Sequence, residues 1–170
     1  MFYYRKLILK EGFKIGNKIC TCFGHREVSK NIAGVLSEVV EDIVLSCGVT
    51  EFWTGGMGKT DEIFAAVVRN LKNKYPNIKL VLIKPYITSE LRNNPNYYKN
   101  TFDSVVIPNV VVEVNYKCAI PKRNEWMVYN SDFVITYVCK NNGGAYNAKN
   151  YARKMGKIIF EVNDMLTDKT

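Results

Sequence analysis

The chain has 170 residues, 47% apolar and 24% charged, with a net charge of +8. That length supports one domain with its own core, and the balance excludes a largely disordered chain. No run approaches the roughly 18 consecutive apolar residues of a membrane span, and the N-terminal segment lacks the long apolar centre and cleavage site of a secretion signal.

Five cysteines, Cys20, Cys22, Cys47, Cys118 and Cys139, are odd in number and lack zinc-binding spacing. They point to a reducing, cytoplasmic location and to no metal. The positive charge is scattered. Its densest run, RNLKNKYPNIK over residues 69–79, fits a solvated helix end and turn. A nucleic-acid partner is therefore not the expectation, and a small phosphorylated ligand is favoured over it.

Residues 1–18 stand outside the repeat that follows, as an N-terminal extension that is either an extra edge strand or a mobile segment. Residues 19–170 form a single domain. Residues 19–23 read as a strand ending at Gly24, with Cys20 and Cys22 on one buried face. Ile32, Val35, Leu36, Val39, Val40, Ile43 and Val44 recur at three and four residues, the inner face of a helix that Gly48 stops. Residues 51–54 are a short strand, followed by a glycine loop and a helix with Ile63, Phe64, Val67, Val68 and Leu71 inward, closed by Pro76. Residues 80–83 are apolar throughout, as a strand buried on both faces requires. The polar stretch 86–103 reads as loop with a short helix.

Residues 105–107 and 110–114 are strand candidates, 122–130 a helix and 133–138 a strand. Gly143-Gly144 opens a helix to Lys154, Gly156 ends it, and 157–162 is the last strand. Strands alternating with helices predict an α/β fold, a parallel sheet flanked by helices on both faces.

The stretch WTGGMGKT, residues 53–60, ends like a phosphate-binding Walker loop. That motif needs a glycine five residues before the Gly-Lys pair. Here Trp53 stands there, which excludes it. What remains is a strand, a glycine turn and a helix N-terminus whose unpaired N–H groups favour an anion. The chain has three such turns: Gly24-His25-Arg26, Gly55-Gly56-Met57-Gly58 and Asn142-Gly143-Gly144-Ala145. In an open parallel sheet they face one crevice.

His25 and Arg26 offer donors for a phosphate, although a lone histidine is more often structural, here as the cap of a carbonyl. Asp61 and Glu62 open the second helix, where the dipole favours carboxylates whatever the function. As functional groups they would bind a ribose hydroxyl or act as a base. Trp126 and Met127 read as core, while Arg123 and Asn124 suit phosphate, ribose or base contacts.

The segments CTCFGHRE, FWTGGMGKTD, LKNKYPNIKLVLIKPY, AIPKRNEWMVYNSDFVITYV and NNGGAYNAKNYARKMGKIIF occur in this order, and the resemblance they carry covers about residues 18–163. In that combination the chain resembles the YpsA-like family of the SLOG superfamily, which also holds the DprA proteins and the LOG-type phosphoribohydrolases. The resemblance implies a Rossmann-like fold and a pocket for a nucleotide or nucleotide-derived ligand at the strand C-terminal ends. Carried over by position, it points to Gly24, His25, Arg26, Gly55, Gly56, Asp61, Arg123, Asn124, Asp132, Gly143 and Gly144. Gly58 and Thr60 join them as part of the second turn, where Lys59-Thr60 departs from the family pattern.

The phosphoribohydrolase branch has a P-G-G-x-G-T-x-x-E loop whose glutamate serves cleavage of an N-glycosidic bond; here Asn150 stands at that glutamate. The first expectation is thus a nucleotide-binding sensor or sequestering module. The alternatives are a nucleotide N-glycosidase using Asp61, Glu62 or Asp132, and DprA-like single-stranded nucleic-acid binding. Relatives of this kind commonly pair, so a homodimer through an apolar helix face is a further expectation.

Overall fold

The computed structural model describes residues 17–28 and 31–167. The two readings of the N-terminal extension fall almost wholly on residues outside these. Six strands, β1 (Lys18–Gly24), β2 (Val49–Thr54), β3 (Lys79–Ile83), β4 (Ser104–Val106), β5 (Phe133–Tyr137) and β6 (Ile158–Glu161), form one sheet in the order β4-β3-β2-β1-β5-β6. Every neighbouring pair is parallel, which confirms the α/β, Rossmann-like class.

The helices among the described residues are α1 (Ala33–Cys47), α2 (Lys59–Lys72), the short α3 (Ser89–Asn93) and α4 (Pro95–Thr101), α5 (Tyr116–Asn130), α6 (Gly143–Lys154) and α7 (Val162–Thr167). The period-2 alternation of the strands divides the core. Cys20, Cys22, Phe52, Leu80 and Ile135 pack with α1 and α2 on one face. Phe23, Trp53, Val81, Ile83 and Val134 pack with α5 and α6 on the other. Trp53 and Trp126 stack there with ring centroids 5.0 Å apart.

Three elements differ from the sequence reading. Residues 110–114 are not a strand: they begin inside a 3-10 turn, Asn109–Val111, and pair with no strand of the sheet. The helix assigned to 122–130 begins at Tyr116, with Asn115 capping the N–H of Lys117 and Pro121 inside it. Val162 does not end the last strand. It opens α7 and is fully buried against the α1 face.

Candidate functional site

Strand order reverses at the centre of the sheet. The chain runs from β1 outward through β2, β3 and β4, then returns to the other side of β1 as β5. Loops leaving β1 and β5 therefore turn to opposite faces, and a crevice opens at their carboxyl ends. It has a volume of about 850 Å³. Gly24, His25 and Arg26 line it from β1, and Gly55, Met57 and Asp61 from the β2–α2 turn. Ile120, Arg123 and Asn124 enter from α5, and Cys139, Lys140, Asn142, Gly143 and Gly144 from the β5–α6 turn.

The three glycine turns are not equivalent. A Cβ at Gly24 would overlap the Thr60 side chain, one at Gly55 would overlap the Arg123 guanidinium, and one at Gly58 would lie 2.7 Å from the Arg26 Cα. In the first two turns the glycines let the protein pack against itself. At the third, nothing stands within 4 Å of a Cβ on Gly143, and the nearest neighbour of one on Gly144 is the Asn124 amide nitrogen at 3.8 Å. Gly143 also needs to be glycine for its backbone, at φ 88°.

The helix ends behind these turns differ in the same direction. α2 carries Asp61 and Glu62 in its first turn. The Asp61 carboxylate accepts from the Met57 N–H at 2.9 Å through one oxygen and from the Thr54 hydroxyl at 3.1 Å through the other. That helix end already holds its own negative charge. α6 has no acidic residue in its first turn, and Asn142 makes no side-chain capping bond. Its first N–H groups open into the crevice, the arrangement that suits an anion.

Cations gather around it. Arg123 is only 3% exposed, gives one bond to the Ile83 carbonyl at 2.8 Å and one to the Met57 sulfur at 3.3 Å, and leaves its Nε without a partner. Burial pushes its guanidinium down to about 10, against the opposing pull of Asp61. Lys84, also buried, donates to the Gly56 carbonyl at 3.3 Å, and burial lowers its ammonium too. Burial in turn raises the Asp61 carboxyl above the usual range, outweighing the Met57 N–H and Arg123. Two buried cations thus face one half-buried carboxylate, and Arg26 and Lys140 add charge at the walls.

His25 serves the loop rather than a carbonyl. Its Nε2 accepts the Lys140 N–H at 3.1 Å, and burial followed by the Lys140 charge lowers its pKa, so it stays neutral at neutral pH. Asn163 of α7 holds the same loop with a two-point clamp on the N–H and carbonyl of Val138, both at 2.9 Å. Neither clamp was visible in the sequence, because both partners are backbone atoms far away along the chain. Lys140 itself had a signal, since it stands three residues past the end of β5, in the turn that leads to Gly143-Gly144.

The residues expected at the site divide accordingly. Gly24, His25, Arg26, Gly55, Asp61, Arg123, Asn124, Gly143 and Gly144 line one crevice; Gly56, Gly58 and Thr60 do not. Gly56 takes φ 60° over Leu82, and the Thr60 hydroxyl is spent on the His25 carbonyl at 2.8 Å. Glu62 is exposed and pairs with Lys59 at 3.0 Å. Asp132 is the clear correction. Its carboxylate accepts from the Ile19 N–H at 2.8 Å, tying β1 and β5 together at the amino end of the sheet, the end opposite the crevice.

A family model described as the YspA SLOG family (YpsA) matches residues 21–164. The chain belongs to the YpsA SLOG family. It is similar to the SPbeta prophage-derived protein YoqJ of Bacillus subtilis, 27% identical over 70% of this chain and 78% of that one. A UPF0398 protein of Brevibacillus brevis is 24% identical over 71% of this chain, which spans 62% of its length.

Among solved structures, DprA of Streptococcus pneumoniae superposes with a TM-score of 0.61 at 17% identity, over 85% of this chain and 50% of that one. The molybdenum cofactor binding protein of Rippkaea orientalis does so with a TM-score of 0.54 at 14% identity, over 91% and 85%. At such identities these likenesses establish the fold. Of the proteins with this fold, DprA of Helicobacter pylori binds single-stranded DNA and the Rippkaea orientalis protein binds a molybdenum cofactor.

Proposed function

We propose that this YpsA-family protein binds a nucleotide or nucleotide-derived ligand in the switch-point crevice, as a sensor or sequestering module, with a phosphate against the N-terminus of α6. The observation that carries this reading is the uncapped, acid-free start of α6, with empty space above Gly143 and Gly144 and the buried, incompletely bonded Arg123 in the same crevice. Binding without chemistry suits the carboxylates. Asp61 has both oxygens engaged, Glu62 points outward, Asp132 lies at the far end, and Asn150 does not line the crevice.

Isothermal titration with inorganic phosphate and a panel of nucleotides tests the reading. Nucleotide binding that weakens as phosphate is added is expected. The absence of heat and of any rise in melting temperature with every ligand would count decisively against it.

One observation favours a second reading. The Asp61 carboxyl, raised by burial, has the character of a general acid in a cleft. Release of free base from a nucleotide by the wild type, abolished in Asp61→Asn, would establish an N-glycosidase in place of a binding module.

A further inference from the structure

An aromatic pair continues the α5 wall of the crevice outward. On α5, Tyr116, Ile120 and Arg123-Asn124 follow one another at helical spacing of four, three and four residues, so they share a face. The deep end, Arg123 and Asn124, stands beside the start of α6, and Ile120 lines the crevice one turn further out. One turn beyond Ile120, Tyr116 is 68% exposed at the outer end of the helix. Tyr86, from the segment after β3, lies against it with ring centroids 4.6 Å apart, and is close enough to Arg123 to interact with its charge.

At about 1.5 Å of rise per residue, Tyr116 lies roughly 12 Å along the helix from Asn124 and roughly 6 Å from Ile120. A planar base held on a pentose stands at a distance between these two from its phosphate. The chemistry is ordered in the same way, with cations and helix N–H groups at one end, an aliphatic side chain between, and an exposed aromatic face at the other. A simple phosphate ester would leave Tyr116 uncovered. A base laid on it would bury the ring while the phosphate keeps the α6 end.

We infer that Tyr116, backed by Tyr86, is the stacking platform for the base of the ligand, which makes the ligand class a nucleotide with a planar aromatic base. This rests on the anion reading of the α6 terminus given above. Stacking of this kind tolerates any base, so the platform selects for the presence of a base, and hydrogen-bonding groups elsewhere would select its identity.

The test compares adenosine 5′-monophosphate, ribose 5-phosphate and inorganic phosphate by calorimetry on the wild type, Tyr116→Ala and Tyr116→Phe. In the wild type the base should tighten binding over ribose 5-phosphate by about fivefold or more. Tyr116→Ala should remove that increment and leave ribose 5-phosphate and phosphate binding unchanged, and Tyr116→Phe should keep it. Equal affinities of the wild type for the nucleotide and the sugar phosphate overturn the inference and spare the anion site. So does an alanine variant that keeps the increment, or one that weakens all three ligands alike. If none of the three binds the wild type, the anion reading itself falls.

Discussion

Gly34 and Gly55 carry the same side chain under opposite demands. Gly34 sits in the exposed first turn of α1 with nothing within 4 Å of a Cβ, whereas a Cβ on Gly55 would overlap the Arg123 guanidinium. Alanine at 34 should stabilise the protein by about 0.5–1 kcal/mol through helix propensity. Alanine at 55 should cost about 1–3 kcal/mol, because it displaces a buried cation from the Ile83 carbonyl. Urea unfolding of both variants reads the difference directly, and equal effects would mean that Arg123 moves aside without loss. The sequence displayed these glycines plainly but not what each one faces. Contacts such as Gly55 with Arg123, or the Lys140 N–H with His25, join residues far apart in the chain, so no local pattern records them.

At the level of elements, the paired glycines of α6 mattered more than the Gly-Lys-Thr run of α2, because α6, unlike α2, leaves its first turn without a carboxylate. Gly144→Asp would supply one. The added charge should stabilise the free protein by about 0.3–1 kcal/mol through the helix dipole, and should weaken phosphate and nucleotide binding on the order of tenfold or more by occupying the same N–H groups. A melting scan paired with a titration separates the two effects. A variant that binds as before would place the anion elsewhere in the crevice.

Regular elements were legible where periodicity was strong, as in α1 and β5. Irregular ones were not. The helix read over residues 122–130 begins just after Pro121, a residue type that favours the first turn, yet α5 already runs a full turn before that proline. The valines of 110–114 have strand composition but pair with no strand, since composition registers side-chain type and not the partner a strand needs.

At the scale of the whole molecule, the strand and helix alternation sufficed to predict a parallel α/β sheet, and that topology alone locates the crevice. Charge balance was not legible, since a net +8 does not say which charges are buried. Acid stability depends on that distribution. Burial alone would raise the carboxyls of Asp103 and Glu161, but Lys72 with the Leu80 N–H holds the first below the usual range, and Lys149 with Arg153 holds the second. Their contribution is present above the unfolded carboxylate range of about 4 and is lost as pH falls through their folded values.

Asp61 has the opposite sign. Its folded pKa is raised, so the folded state binds its proton more tightly than the unfolded chain does, and stability falls as pH climbs from about 4 through the folded value. Asp61→Asn removes that penalty, and the amide can still accept the Met57 N–H and donate to the Thr54 hydroxyl, the two partners of the carboxylate. The variant should therefore be more stable than the wild type at pH 7, with the gap closing as the pH is lowered toward about 4. Denaturant unfolding at pH 7, 5.5 and 4 measures it. A variant less stable than the wild type at pH 7 would show that attraction to Arg123 and Lys84 outweighs the burial of Asp61. The carboxylate would then be a counter-ion that holds the crevice together, and the excess positive charge available to a ligand would be correspondingly smaller.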